Sequence, residues 1–456
     1  MSSDHSGQPR LCLDFGTAFS KASLYLGGAL PAREAVLPLA IGAISRADHP
    51  FLTPSVMFVD EGRILIGPVA LERAQRAASV NRDPILSFKT ILAARDLEPA
   101  LAQKIPPSVD PTSTLRQRDT LVLYLAHLDQ LVRAVIKGDA TLPPSAADAA
   151  RRYTSPIWRM RDEADRTMSR LFDEAAIVSV RLGERLIAPD GVSIAQAKDA
   201  LDKGEQTLGI GQLEASVFEA HAAAAAYAAF SRAPQRFVLV VDMGAGTTDL
   251  AGFERLEGGD GQALSEVVRA RQSCGLAGNE IDEVLVNLAL AKSRPRRGLS
   301  EEQLWRSLRL SARKLKRDLF LNGKCAFEHD GKVRTLMLGE LTRAPAFKAF
   351  CRAFAEICAA SVRAVAERAK LAGESKLTIL LAGGGANLKF LTEVANAAGA
   401  RGGEGLKIEI ETFGVNWYLP RGYDPFLQDA FPQVAISLGG ALAHLADEPA
   451  NAAALA

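Results

Sequence analysis

Asp242, Gly244, Gly246, Thr247 and Asp249 fall within eight consecutive residues, DMGAGTTD. Carboxylates stand at both shoulders of a turn made of small residues. Glycine lets backbone amides approach an anion, and threonine hydroxyls add hydrogen bonds. A carboxylate beside phosphates can hold a hydrated Mg²⁺. Apolar runs on either side, Phe237–Val241 and Leu250–Phe253, predict strand, Gly-rich turn, strand. Taken alone, the stretch fits a phosphate loop and an ordinary tight hairpin equally well.

A second stretch follows the same grammar. Leu11–Ser23, LCLDFGTAFSKAS, runs from an apolar strand through Asp14, Gly16 and Thr17 into an alternating strand. Two such turns, D-x-G-T at Asp14–Thr17 and D-x-G-x-G-T at Asp242–Thr247, so far apart in the chain predict two duplicated domains, each offering a phosphate hairpin to a shared cleft. Neither is a P-loop, because G-x-x-x-x-G-K-[ST] is absent, and neither is a dinucleotide fingerprint, because a strand follows in place of a helix. Lys21, four residues past Thr17, can reach a phosphate as a point charge or sit solvated at a strand edge. A third Gly-rich turn, Gly383–Gly384–Gly385–Ala386–Asn387, follows the apolar run Leu377–Leu381 and opens a helix at Leu388, whose N-terminus favours negative charge.

The elements that must position these groups are legible in outline. Thr120–Ile136 has the apolar stripe of an amphipathic helix. Met57–Val59 and Arg63–Ile66 alternate as strands, Val69–Ala78 is helical, and Ile85–Leu92 is an apolar segment carrying Lys89. Tyr153–Trp158 reads as a strand interrupted by Pro156, Arg161–Glu174 as a charged helix with a solvated face, and Gly204–Gly211 as a surface loop. Glu214–Phe230 reads as one Ala-rich helix suited to close packing, with Glu219 inside it, either as an acid facing a contact or as an exposed helix position. His221 reads as packed or surface. Arg271–Asp282 reads as a Gly-interrupted turn, Lys292–Gly298 as a solvated basic loop, and Ser300 with Gln303 as a capping box opening a helix to Phe320. On that helix Lys316 and Arg317 can stack on a base or serve as surface charge. Phe347–Leu371 and Phe431–Leu445 are the last long helices.

Composition bounds the function. The 456 residues allow two or three domains. Charge is balanced at 54 Lys+Arg against 53 Asp+Glu, so there is no bulk attraction to nucleic acid or membrane. The polar start lacks an apolar signal region and no run reaches the length of a membrane span. Five scattered cysteines without C-x-x-C argue against structural zinc and fit reduced thiols in a cytoplasmic protein.

The whole set, DFGTAFSK, an acid in an Ala-rich helix, DMGAGTTD, GLAGNE, KRDL and LAGGG, resembles the nucleotide motifs of the actin-like ATPase superfamily. In order and spacing it looks most like the nucleotide-binding domain of seventy-kilodalton heat-shock (DnaK-type) chaperones. TPSVMF with ILIG, SFKTIL, and Tyr153–Pro156 add to the likeness. The resemblance implies an α/β, ribonuclease H-like duplicated fold with two lobes around a nucleotide cleft: residues 1–232, residues 233–428, and a C-terminal helix, 429–456, returning to the first lobe. It implies Gly16, Thr17 and Ala18 in the first phosphate loop, and Gly244, Ala245, Gly246 and Thr247 in the second. Gly278 matches the second connecting motif, Lys316 and Arg317 the adenine-side pair, and Gly383, Gly384, Gly385 and Asn387 the adenosine motif. Asp14, Glu219 and Asp242 would arrange Mg²⁺ through water, with Asp242 or Asp249 orienting the attacking water. The implied cofactors are ATP/ADP and Mg²⁺, and the implied activity is slow ATP hydrolysis coupled to lobe closure on a protein partner. Alternatives of the same fold are a small-molecule kinase, a filament-forming relative and a scaffold without turnover. Three positions depart from the pattern: Leu71 replaces a lysine that positions water and γ-phosphate, Ala18 a second threonine, and Gln433 an acid. The β-sandwich and lid of the chaperones have no counterpart in this sequence.

Overall fold

The structure, a computed structural model, describes residues 8–28, 30–78, 82–94, 96–156, 161–206, 213–256, 263–294, 299–418, 424–442 and 445. In the first half, β1 (Arg10–Asp14), β2 (Phe19–Tyr25) and β3 (Val36–Leu39) form an antiparallel meander, and β4 (Thr53–Pro54) pairs on β2. Strands β5 (Met57–Asp60), β6 (Arg63–Ile66) and β8 (Val192–Ser193) make a separate small sheet, while β7 (Ala150–Ser155) and β9 (Leu213–Phe218) extend the main one in parallel from β1. The helices of this half are α1 (Ala32–Ala35), α2 (Ile41–Ser45), α3 (Pro68–Arg76), α4 (Leu97–Ala102), α5 (Gln117–Gly138), α6 (Arg161–Leu182), α7 (Ile194–Glu205) and α8 (Glu219–Phe230).

The second half repeats that plan. β10 (Phe237–Met243), β11 (Thr248–Arg255) and β12 (Leu264–Cys274) are an antiparallel meander, and β15 (Lys376–Ala382) and β16 (Lys407–Thr412) add in parallel to β10. A two-stranded ribbon, β13 (Lys324–His329) and β14 (Lys332–Met337), stands apart. The helices are α9 (Gly278–Ser293), α10 (Leu299–Asn322), α11 (Leu338–Arg343), α12 (Pro345–Leu371), α13 (Lys389–Gly402) and α14 (Pro425–Ala441). The strand orders, β3-β2-β1-β7-β9 and β12-β11-β10-β15-β16, share one grammar: three antiparallel strands, then two parallel ones.

Strand alternation builds the layers. On β10, Leu239 and Val241 enter a core with α12 and α13, while Val238 and Val240 enter a central core with α8 and α14. On β1, Leu11 and Leu13 join the core under α5 and α6, and Cys12 joins the same central core. The central strands are therefore apolar on both faces, as parallel-type sheets covered on both sides must be. α8 and α14 form the shared middle layer. Their contact is backbone-close, with alanines of α8 against Gly439 and Gly440 of α14.

Several sequence expectations give way to tertiary context. Glu214–Phe230 is not one helix: residues 213–218 are strand β9, pairing with β7, and the helix begins at Glu219. An edge position beside a waiting strand outweighs local helix preference. The charged helix from Arg161 continues to Leu182 and is not a solvated face. Met168, Leu171, Phe172, Ala175 and Val178 are buried, as are Asp173 and Glu174, and Glu174 pairs with Arg118. The expected turn Arg271–Asp282 is strand through Cys274 and helix from Gly278. Helix α10 starts at Leu299, one residue before Ser300, and runs to Asn322. The last helix starts earlier than expected and ends at Ala441, because the Asp424 side chain accepts from the Phe426 N–H and Pro425 suits the first turn. Gly204 is buried within α7, and residues 207–211 of that expected loop lie outside the described residues. So do 157–158 of the expected strand beyond β7 and 295–298 of the basic loop, whose Lys292 closes α9 and pairs with Glu340. No helix among the described residues is long and apolar enough to cross a membrane.

Candidate nucleotide site

The two hairpins meet at their tips. In the β10–β11 hairpin Asp242 stands opposite Asp249, and the turn closes with the Gly244 N–H donating to the Thr247 carbonyl at 3.0 Å. A Cβ placed on Gly246 would lie 2.9 Å from Thr17 Oγ1 of the β1–β2 hairpin, so glycine is what allows the tips to approach. Between the hairpins opens a cleft of about 2520 Å³. That exceeds the roughly 300–1,000 Å³ of an ordinary small-molecule pocket and leaves room for a nucleotide.

The cleft gathers nearly every residue singled out from the sequence. Asp14, Gly16, Thr17, Ala18 and Lys21 line it from the first hairpin; Asp242, Gly244, Ala245, Gly246 and Thr247 from the second. Glu219, Gly278, Lys316, Arg317, Gly383, Gly384, Gly385 and Asn387 complete the walls. Asp249 does not line it. It is buried behind the turn, where the Thr247 hydroxyl donates to its Oδ2 at 3.3 Å.

Each wall is tied to the loops by named bonds. The Gly278 and Asn279 N–H groups donate to the Gly244 and Ala245 carbonyls at 3.1 and 2.8 Å, which spends the start of α9 on holding the second loop. Lys316 Nζ donates to the Gly278 carbonyl at 2.8 Å and pairs with Asp282 at 2.9 Å. Gly383 has φ +77, in the left-handed region, and a Cβ there would stand 2.2 Å from Asp242 Oδ1. Its N–H donates to the Pro432 carbonyl, and the Gly385 N–H to that of Met243. Asn387 Nδ2 donates to the Asp429 carbonyl at 2.9 Å, and Gln433 faces Gly384. The Gly383–Gly385 turn is thus fastened to the second hairpin and to α14 together.

Two lysines and four carboxylates set the electrostatics. Lys21 is not a solvated edge residue: it is buried and pairs with its cross-strand neighbour Asp14 at 2.6 Å. Glu219 is not an exposed helix position either. It occupies the first turn of α8, its side chain is 13% exposed, and it pairs with Lys89. Burial, then Glu219, Asp249 and Asp14, push the Asp242 carboxyl well above the usual carboxylate range, and its Oδ1 is buried without a hydrogen-bond partner. A carboxylate in that state is relieved by a cation. Among the described residues no group of three or more His, Cys, Asp or Glu side chains is placed to hold a metal directly. The orphaned Asp242 oxygen, with Asp14 and Glu219 lining the same cleft, fits a hydrated divalent cation such as Mg²⁺.

Sequence reasoning missed two side chains. Lys89 carried no signal beyond a charge in an apolar run. Arg313 was hidden in a basic helix, yet it reaches across to the Ala18, Thr17 and Leu86 carbonyls at 3.2, 3.5 and 3.3 Å. Its spacing to Lys316 and Arg317, three and four residues on, is the pattern that could have placed all three on one helix face. Lys316 is held in the wall, whereas Arg317 is 59% exposed and ready to cover a ligand. Leu71 also lines the cleft, so the position carrying a lysine in the resembling family presents an apolar wall.

A model of the Hsp70 protein family matches residues 209–398, from the strand before Glu219 through the Gly383 turn. No curated protein matches the chain. The α/β fold, with its repeated sheet plan, is that of the actin-like ATPases.

Proposed function

We propose that this chain, an actin-like ATPase fold resembling the Hsp70 nucleotide-binding domain, binds ATP in its central cleft and hydrolyses it slowly, signalling to a protein partner through lobe closure. The observation that carries the reading is the meeting of two Asp-Gly-Thr hairpins from separate sheets, D-x-G-T at Asp14–Thr17 and D-x-G-x-G-T at Asp242–Thr247, Gly246 against Thr17, beside the turn Gly383–Gly385. Small residues at 16–18 and 244–247 leave backbone open to phosphate oxygens. The base lies between Arg317 and the Gly383 turn, with Lys316 bracing the wall through Gly278 and Asp282. Asp14, Glu219 and Asp242 hold hydrated Mg²⁺, which when bound neutralises charge on the phosphates. Asp242, which stands opposite Asp249 across the strand pair, orients the attacking water. Positioning and electrostatics supply most of the protein's share in phosphoryl transfer. With Leu71 apolar, turnover is slow and binding is the firmer property. Closure follows because phosphates touching both hairpins favour the state in which the tips are together.

Calorimetric titration with ATP and ADP, with and without Mg²⁺, tests the reading. Wild type binds both nucleotides more tightly with Mg²⁺. Gly246→Val drives a side chain into Thr17 and lowers affinity by about 100-fold or more without unfolding the chain, since the turn lies at the cleft rather than in a core. Thr247→Ala retains binding and loses about tenfold in phosphate release. Absence of nucleotide binding by wild type would sink the proposal, and robust transfer of phosphate to an added sugar or carboxylate would replace it with a kinase.

A further inference from the structure

Lys89 is a buried ammonium for which the nucleotide reading has as yet no task. It sits on the short 3-10 turn Phe88–Ala93, lines the cleft and is 7% exposed. Its Nζ pairs with Glu219 and donates to the Thr154 carbonyl at 3.3 Å. Those contacts use two of the three N–H bonds of an ammonium. The other cleft lysine is placed differently. Lys21 is paired with Asp14 directly across the β1–β2 hairpin, so their separation is set by strand register. Lys89 and Glu219 come from a 3-10 turn and a helix start that no strand ladder joins, and they can part without breaking a sheet.

Charge makes the pairing conditional. Lys89 is the counter-ion of Glu219, and a buried ion pair persists only while each member has its partner. An entering triphosphate offers the ammonium a more highly charged partner, and a hydrated divalent cation offers Glu219 one. We propose that Lys89 changes partners on ligand binding: it neutralises Glu219 in the nucleotide-free chain and turns to the terminal phosphate when a nucleoside triphosphate enters, leaving Glu219 to the hydrated cation. This rests on the nucleotide reading above. The exchange makes Lys89 a sensor of the third phosphate, because a diphosphate leaves the Lys89–Glu219 pair intact. It also sets an order, since the carboxylate needed by the cation is released only as the ammonium moves.

The test is calorimetric titration of the full chain with AMP-PNP and with ADP, each with and without Mg²⁺, on wild type, Lys89→Met, Lys89→Arg and Glu219→Gln. Lys89→Met loses about tenfold in AMP-PNP affinity and changes ADP affinity less than about threefold, as expected for one charge-assisted bond to the third phosphate. Lys89→Arg keeps most of the discrimination. Glu219→Gln frees the ammonium from its carboxylate, so metal-free AMP-PNP binds about threefold more tightly or better. Equal losses for both ligands in Lys89→Met, or no loss, overturn the inference while wild-type binding leaves the nucleotide reading standing. If Lys89→Met does not fold, Glu219→Gln decides: unchanged or weaker metal-free AMP-PNP binding overturns it. A wild type that binds neither ligand defeats both proposals together.

Discussion

Asp242→Asn is expected to make the nucleotide-free protein more stable and the site far less active. The sign follows from linkage. The folded-state pKa of Asp242 is raised, by burial first and by Glu219, Asp249 and Asp14 after it, so the native state holds this proton more tightly than the unfolded chain. Stability is then fully present below the ordinary aspartate value and is lost as pH climbs from there through the raised one. Asparagine keeps the shape and removes the ionisation. The variant's thermal midpoint should exceed that of wild type at neutral pH, and the pH-dependent decline across that window should flatten. Phosphate release should fall by about 100- to 1,000-fold, the usual loss when one preorganised charge at a reacting centre is removed, and the Mg²⁺ dependence of ATP binding should weaken. Thermal unfolding between pH 4 and 9 and steady-state turnover measure the two halves. A variant less stable than wild type at neutral pH would show that Asp242 is held charged by favourable partners. Gain in stability with loss of function is the usual mark of a site whose charges are kept together for a ligand.

Gly439→Ala is expected to damage the fold more than any change in the cleft. An added Cβ would stand 1.8 Å from the Ala222 carbonyl oxygen and 3.0 Å from the Ala226 nitrogen, all on backbone that cannot rotate away. Relief requires α14 to move off α8. That separates the layer on which both sheets rest and shifts Pro432, whose carbonyl holds Gly383. Overpacking of this kind costs about 3 kcal/mol or more when only backbone can yield. Gly275→Ala is the control: nothing lies within 4 Å of a Cβ there and its φ is ordinary, so stability should stay within about 0.5 kcal/mol. Urea unfolding followed by circular dichroism compares the two, and equal midpoints would refute the close-packed middle layer.

The hairpins were legible because each is local. Apolar strands, a carboxylate, and a turn of Gly and Thr are read within a dozen residues, and β10–β11 folds in the register that pattern implies. Longer-range features were harder to read. Residues 213–218 carry no strand signal strong enough to separate them from the alanine helix that follows, and they become a strand because β7 leaves an edge to pair with. The charge pattern of Arg161–Glu174 suggested solvent, but Glu174 meets Arg118 from α5, a partner remote in sequence.

The sequence by itself determined the two Asp-Gly-Thr hairpins, the Gly383 turn and the doubling that relates the halves, since each depends on residue types within a short window. Tertiary structure alone decided which charges oppose one another. Lys21 could have been solvated and Glu219 exposed; instead Lys21 lies against Asp14, Glu219 against Lys89, and Asp242 is left buried among carboxylates. Arg313 reaches the first loop only because α10 packs along the cleft wall. The physical reason is that Coulomb energy depends on distance and burial, and neither is encoded in spacing along the chain. Asp242 to Asp249 is a phosphate-type turn by composition, and it becomes a candidate reaction centre through what the fold sets around it.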